Sequence, residues 1–333
     1  MARLQGYRIG ISSGDINGIG PEVILRSLSE HPEWLRTHAF ILYGHPSLLD
    51  ASARGSLDPH NLIGGQEITS PGFYIYPAWK EELEIEAGRP TKASGYAAKA
   101  SLEHAARAWV DSSIDALVTA PIDKKNINEA GFGFPGHTEY LADACGVEEP
   151  LMFLVTEALR VGVVTGHIPL KDVPSQITAA AIGKKAKAMQ MSLMKDFGIK
   201  RPRIALLGLN PHAGDRGLIG SEDEEVIRPF INGLDWDEGE ALGPLPADGF
   251  FGGGAYKDFD GVLAMYHDQG LIPFKTLSFG KGVNFTAGLP FIRTSPDHGT
   301  AFDLAGKGMA DSRSFSCAIE LAIEIIKSRR KSS

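Results

Sequence analysis

Three of the ten histidines in this 333-residue chain follow apolar, strand-like runs: His167 after Arg160–Val164, His212 after Arg203–Leu207 and His267 after Gly261–Met265. In a parallel sheet the carboxyl ends of the strands share an edge, so imidazoles carried just beyond them can meet. Three neutral imidazoles suit a borderline divalent ion such as zinc or cobalt and leave a coordination position open for substrate. Asp268, next to His267, and Asp215, three residues after His212, can accept from imidazole N–H groups and fix their tautomers; each is equally suited to capping a helix or turn. Any one of these histidines alone has a structural alternative, and the metal reading rests on the three together. His31, His38, His45, His60 and His104 share no pattern and read as surface or locally bonded side chains. His137, His298 and the three strand-end histidines are all expected in loops.

Two further segments carry residues with chemistry in them. Lys275, Asn284 and Arg293 recur at intervals of nine in a glycine-rich stretch beyond His267. A guanidinium grips phosphate or carboxylate with paired bonds and a lysine adds a point charge, so this set reads as anion ligands. Asp297–Gly308, reading DHGTAFDLAGKG, is unusually dense in special residues for a plain turn. It is similar to the adenosine-binding loop of isopropylmalate and isocitrate dehydrogenases, with Phe302 where their pattern has proline. The similarity implies NAD or NADP contacts from His298, Gly299, Thr300, Ala301 and Asp303. Gly14–Glu22, reading GDINGIGPE, lacks the spacing of a dinucleotide fingerprint and any phosphate-loop lysine, and Asp15 would oppose a phosphate. It reads as a tight strand-to-helix turn.

Such residues need elements that bring strand ends together. Apolar, β-branched runs recur at Tyr7–Ile11, Ala39–Tyr43, Ala116–Thr119, Arg160–Val164, Arg203–Leu207 and Gly261–Met265. Helical patterns lie at Pro21–Leu28, Lys92–Val110, Ala179–Phe197, Glu222–Ile231 and Phe315–Ser328. This alternation predicts an α/β fold with a largely parallel sheet. No repeat or low-complexity tract marks a boundary.

The composition bounds the function classes. With 43% hydrophobic residues the chain can bury a substantial core. A net charge of -8, with basic residues concentrated only in the Lys327–Lys331 tail, argues against nucleic acid or an anionic membrane as the main partner. Two distant cysteines, Cys145 and Cys317, indicate neither a disulfide framework nor a thiolate metal site. Without a signal-peptide pattern or an apolar run of roughly 20 residues, a soluble, cytoplasmic protein is expected.

Taken in order, the motifs resemble the 4-hydroxythreonine-4-phosphate dehydrogenase family of pyridoxal phosphate biosynthesis. The blocks are GDINGIGPE at 14–22, TAPIDK at 119–124, GFPGHTEYLA at 133–142, TGHIPL at 165–170, GLNPHAGD at 208–215, GPLPAD at 243–248, YHDQGLIPFK at 266–275 and RTSPDHGTAFDLAGKG at 293–308. Ile16-Asn17 departs from the Pro-Ala of many members. The resemblance implies an isocitrate/isopropylmalate dehydrogenase-like fold of two α/β/α lobes with a largely parallel mixed sheet and an active site in the cleft between them. The lobes are expected at 1–135 plus 276–333, with the adenosine-type loop, and at 136–275, with the metal ligands and dimer contacts. It further implies one divalent metal per subunit (zinc, cobalt or magnesium) on His167, His212 and His267, and substrate contacts from His137, Thr138, Lys275, Asn284 and Arg293. A homodimer completes the site across its interface in this family.

The expected reaction is NAD- or NADP-dependent oxidation of a secondary alcohol in 4-phosphohydroxy-L-threonine, followed by decarboxylation to 3-amino-2-oxopropyl phosphate. His137, Asp248 and Lys124 are the candidates for proton transfer. Members of the family also oxidise 4-phospho-D-threonate or erythronate, or a ring dihydrodiol; Lys275 and Arg293 favour a phosphorylated substrate. A metal-dependent hydrolase would need no nicotinamide, and a phosphate-ligand sensor would bind without turnover.

Overall fold

The alternating runs and helical patterns fold, in the computed structural model, into an α/β chain with mostly parallel strand pairing. The structure describes residues 4–49, 57–61, 67–148 and 150–331. Two compact units divide the chain: Met1–Glu148 with Leu289–Ile326, and Glu149–Gly288 with Lys327–Ser333.

In the first unit β1 (Arg8–Ser12), β2 (Ala39–Gly44), β3 (His60–Asn61), β4 (Gly72–Pro77) and β5 (Ala116–Thr119) lie in the order β3–β4–β2–β1–β5, every pair parallel. β2 and β5 are buried along their whole length, as expected of strands covered on both faces. The turn after β1 leads into α1 (Gly20–Glu30), which starts with Pro21 in its first turn, where no N–H is needed. Alanine-rich α2 (Lys92–Val110) begins with a reciprocal cap: Thr91 Oγ1 accepts from Ser94 N–H at 3.1 Å and Ser94 Oγ accepts from Thr91 N–H at 3.2 Å. Its buried face sets Trp109 into a cluster with Ile41, Ile114 and Leu117. Short helices α3 (Lys124–Glu129) and α4 (His137–Ala144) follow β5.

The second unit contains β6 (Leu151–Val155), β7 (Arg160–Val163), β8 (Arg203–Leu207), β9 (Glu240–Leu245), β10 (Gly261–Ala264) and β11 (Val283–Ala287), in the order β11–β6–β7–β10–β8–β9. β6 runs antiparallel to β11 and to β7, while β7, β10, β8 and β9 pair in parallel. Helix α5 (Ala179–Lys195) is capped by Thr178, whose Oγ1 accepts from Ala181 N–H at 3.1 Å. Helix α6 (His267–Ser278) follows β10 directly and packs Leu271 and Phe274 against Val161, Val163, Ala205 and Val262. Each such apolar side chain removed from water contributes about 1.5–3 kcal/mol.

The chain then returns to the first unit, where β12 (Arg293–Pro296) pairs in parallel with β5 and is followed by α7 (Arg313–Lys331). The unit boundaries differ from those expected from sequence. Residues 136–148 stay with the first unit because α4 buries Leu141 and Ala142 in its core, and 276–288 stay with the second because β11 pairs with β6. No described helix is long and apolar enough to cross a membrane.

Candidate active site

β7, β10 and β8 are consecutive neighbours in one parallel array, so the segments leaving their carboxyl ends emerge on one edge. These segments carry His167, His267 and His212 respectively. The His167 and His267 rings lie with centroids 5.3 Å apart. The Nδ1 of His267 is 2.7 Å from an Asp268 carboxylate oxygen, an arrangement that holds the ring and directs Nε2 away from Asp268. No hydrogen bond joins Asp215 to His212.

His212 is carried by an unusual backbone. His212, Ala213, Asp215 and Arg216 have φ of 54°, 50°, 41° and 57°, with Gly214 between them at 78°, making a short left-handed turn. The turn is anchored by Asp223, which is fully buried and accepts from Leu209 N–H at 2.8 Å and from Asn210 N–H and Nδ2 at 3.0 Å each. Thr165 and Gln269 bond across the neighbouring strand ends, and neither was identified from sequence because their partners are main-chain groups of other strands.

Imidazoles are the correct donor type for a borderline divalent ion, and two of the three are adjacent. Among the described residues, no three His, Cys, Asp or Glu side chains are gathered into a ready cation site. The match is therefore one of donor chemistry, strand order and a ring pair.

In the first unit a cationic set surrounds the end of β5. Arg293, at the start of β12, is only 2% exposed, and its Nε and Nη2 donate to Thr119 Oγ1 at 3.1 and 2.7 Å. Burial pulls its guanidinium down to about 10, still charged at neutral pH, with Glu139 acting in the opposite direction. His137 is pushed well below the ordinary imidazole value, chiefly by burial and further by the charges of Arg293 and Lys124. Its Nε2 is sealed from solvent and has no hydrogen-bond partner. A neutral imidazole with a bare nitrogen, beside a buried guanidinium, is a ready partner for an oxyanion or hydroxyl. Thr119, the residue that holds the guanidinium, was missed in the sequence because it reads as the last residue of a strand.

His137 and His267 were expected in loops, and both instead open helices, α4 and α6. Gly136 before one and the buried Leu271 and Phe274 after the other make these short helical starts, where free main-chain N–H groups favour anions. Thr138 follows His137 in the first turn of α4. Lys275 lies exposed in the last turn of α6, and Asn284 lies on β11 with Oδ1 sealed and without a partner. Asp248 is exposed in the helical turn Ala247–Gly252.

The GDINGIGPE turn and the loop at 297–308 prove to be partners within the first unit. A Cβ on Gly14, at φ 67°, would fall on the Pro121 carbonyl, and one on Gly18 would lie 2.8 Å from the Thr300 oxygen. Ile19 N–H donates to Thr300 O at 3.0 Å. Glu22 accepts from Ala310 N–H at 2.9 Å, and Arg26 donates to the carbonyls of Ala310 and Gly308 at 2.7 and 2.8 Å. Asp15 is buried, which raises its carboxyl above the usual range against the opposing bonds from Asn126 and Asn17. The turn thus clasps the loop. The loop in turn presents His298, whose Nδ1 is 3.0 Å from Gly299 O and whose Nε2 is sealed without a partner, and Gly299, beside open space. Ala301 adopts φ 42°, and Asp303 is exposed.

Comparison with known proteins matches residues 36–322 to the family described as pyridoxal phosphate biosynthetic protein PdxA. The chain is 44% identical to the 4-hydroxythreonine-4-phosphate dehydrogenase of Bacteroides thetaiotaomicron over 97% of its own length and 90% of that protein. It is 47% identical to that of Marinobacter nauticus, covering 97% and 96% of the two chains. The crystal structure of 4-hydroxythreonine-4-phosphate dehydrogenase from Klebsiella pneumoniae superposes with a TM-score of 0.80 at 34% identity, covering 96% and 98%. With strand-end histidines and a clasped glycine-rich loop borne on such a fold, the chain belongs to the PdxA family and is an oxidoreductase acting on a CH–OH group.

Proposed function

We propose that this chain oxidises 4-phosphohydroxy-L-threonine to 2-amino-3-oxo-4-phosphooxybutanoate, with NAD as the preferred acceptor and NADP as the alternative, and that the product decarboxylates to 3-amino-2-oxopropyl phosphate. The observation that carries this reading is the succession of β7, β10 and β8, which sends His167, His267 and His212 out from one sheet edge. His167, His212 and His267 would hold a divalent cation (zinc, cobalt or magnesium), which when bound supplies Lewis-acid polarisation of the substrate hydroxyl. Asp268 fixes the His267 ring for that task.

Arg293 binds the substrate phosphate, supported by its buried, Thr119-held guanidinium, and Lys275, Asn284 and Thr138 add contacts. Anchoring a remote phosphate orients the reacting carbon, which is how binding energy becomes rate. His137 accepts the hydroxyl proton at Nε2, its lowered pKa keeping it neutral and ready; Asp248 and Lys124 are the alternatives. His298, Gly299, Thr300, Ala301 and Asp303 contact the adenosine of the cofactor. Leu170, Leu218 and Ile272 follow the three histidines and are 70%, 81% and 63% exposed. Apolar side chains so placed support a homodimer that covers this edge.

The test is nicotinamide reduction by the purified protein with NAD or NADP, offered 4-phosphohydroxy-L-threonine, 4-phospho-D-threonate and 4-phospho-D-erythronate in parallel, before and after chelation. Turnover of the first substrate, lost on chelation and restored by added zinc, cobalt or magnesium, is expected. Preference for either D-acid would replace the substrate assignment, and turnover untouched by chelation or by His212→Ala would remove the metal.

A further inference from the structure

We infer that Ser12 is a further anion-binding residue, its hydroxyl donating to the phosphate held by Arg293, an inference that rests on the phosphate reading above. Ser12 is the last residue of β1 and is 1% exposed, and its Oγ is sealed from solvent without a hydrogen-bond partner. A hydroxyl taken from water and given no bond in return destabilises the fold. Alanine would fill nearly the same space without that cost, so the oxygen is a bonding capacity that the chain by itself does not use.

The register of the sheet sets this hydroxyl beside the guanidinium. Ser12 is the neighbour of Thr119 on β5, and Leu117, two residues before Thr119, is the neighbour of Arg293 on β12. Paired residues of parallel strands point to the same face, as do residues two apart on one strand. Ser12, Thr119 and Arg293 therefore share a face, with Ser12 and Thr119 side by side at a strand spacing of about 4.8 Å. The guanidinium reaches along β5 to this row and donates through Nε and Nη2 to Thr119 Oγ1. Thr294, the next residue of β12, faces the other way and donates to Ala318 O of α7.

Lower on the same face the chemistry is different. Two residues earlier on each strand the row is Ile41, Gly10 and Leu117, packed with Ile114 and Trp109. At the carboxyl ends, hydroxyls and a buried cation replace the aliphatic side chains, and that end of a parallel sheet is where ligands bind. An anion that reaches the guanidinium meets Ser12 as well. Thr119 Oγ1 is already engaged as an acceptor, whereas Ser12 Oγ is uncommitted. Donation to a phosphate oxygen would be charge-assisted and therefore strong.

The competing role for Ser12 is packing. Ser13 N–H donates to Ser101 Oγ of α2 at 2.8 Å, so α2 lies close to this end of β1 and favours a small side chain there. Ser12→Ala keeps the packing and removes the donor. Ser12→Thr keeps a hydroxyl on the same carbon.

The experiment titrates inorganic phosphate into full-length wild type, Ser12→Ala, Ser12→Thr and Arg293→Met and converts the rise in Tm to a Kd. Phosphate should stabilise wild type, and Arg293→Met should lose that response. Without phosphate, Ser12→Ala should be at least as stable as wild type, because an unpaired hydroxyl has gone. It should bind phosphate roughly 10–100-fold more weakly, the span of one hydrogen bond to a charged group, while Ser12→Thr should stay within a few-fold of wild type. Wild-type phosphate affinity in Ser12→Ala, with Arg293→Met impaired, would leave only packing and overturn the inference. So would a Ser12→Ala protein destabilised in the absence of phosphate, since its hydroxyl would then be bonded within the fold. If phosphate leaves wild type unshifted, or Arg293→Met binds it equally well, the phosphate reading itself fails and takes this inference with it.

Discussion

Replacing Arg293 by methionine should separate stability from function. The guanidinium is 2% exposed, and burial lowers it from its ordinary value to about 10. At about 1.36 kcal/mol per pH unit, holding the charge inside the fold costs roughly 3 kcal/mol. The folded value is the depressed one, so the charged form is disfavoured by folding; the cost is constant through neutral pH and is relieved only as pH rises through about 10. Methionine removes that cost and fills most of the volume, but it forfeits the guanidinium's hydrogen bonds, among them the two to Thr119, worth about 0.5–1.5 kcal/mol each. The two contributions are of similar size, so the expected net change is within about 1 kcal/mol, or a shift in Tm of no more than roughly 2–4 °C for a unit of this size. Function should change far more. A buried guanidinium bonded to phosphate is worth about 1.5–3 kcal/mol per charge-assisted bond, so kcat/KM for the phosphorylated substrate should fall on the order of 100- to 1000-fold. Thermal or urea unfolding of wild type and variant, beside steady-state nicotinamide reduction, reads both quantities. A variant destabilised by several kcal/mol would show that Arg293 is a structural ion, and one retaining kcat/KM would show that it does not bind substrate.

Asn17, itself fully buried, donates to Arg89 O at 2.8 Å and Thr91 Oγ1 at 3.2 Å and accepts from Glu86 N–H at 2.9 Å. Asn17→Ala should cost about 1–3 kcal/mol in urea unfolding, since three part-buried bonds are lost, and should hasten proteolysis near Glu86–Arg89; equal stability would show the bonds to be replaceable by water. His137, lowered by burial, opposes acid stability: below about 6.5 the unfolded imidazole takes up a proton that the folded one refuses, until pH reaches the lowered folded value. His137→Gln should therefore lose less stability than wild type between pH 7 and pH 5, by at most about 1.4 kcal/mol per pH unit, and parallel urea profiles would argue against a buried neutral ring. Leu218→Glu with Ile272→Glu should convert a dimer to monomer in light scattering; a dimer that survives both charges does not use this edge.

Much of the fold is legible because its central strands are buried on both faces and so read as apolar runs. All six expected runs are strands, and the alanine-rich pattern at Lys92–Val110 is a helix with the same bounds. Of the strands not expected, β4 and β6 read GFYIYP and LMFLV and are apolar runs like the six, whereas β12 and β9 have other compositions. β12 reads RTSP, and its Arg293 and Thr294 are buried for their polar bonds, while β9 contains Gly243 and Pro244. The helices that open on His137 and His267 were hidden by the glycine and proline around them: Pro135 and Gly136 before one, Gly270 and Pro273 inside the other. For the candidate site, residue type exposed the histidines, Lys124, Lys275 and Arg293. It could not expose Thr119, Thr165 or Gln269, which act on groups brought to them by strand order alone.

The left-handed turn at His212 shows why such a site needs distant residues. Four non-glycine residues at positive φ cost on the order of 4–8 kcal/mol relative to ordinary backbone. Asp223 returns a similar amount: three bonds to a buried carboxylate, at about 1.5–3 kcal/mol each, reach the main chain of Leu209 and Asn210 and the Asn210 side chain. Gly214 and Gly220 lie close around Asp223 and Asn210, where a Cβ would crowd both. The stretch from Gly208 to Asp223 is therefore one device. Its carboxylate fixes the start of the turn, its glycines make room for that carboxylate, and the strained backbone between them carries His212 beyond the end of β8 on the same edge as His167 and His267.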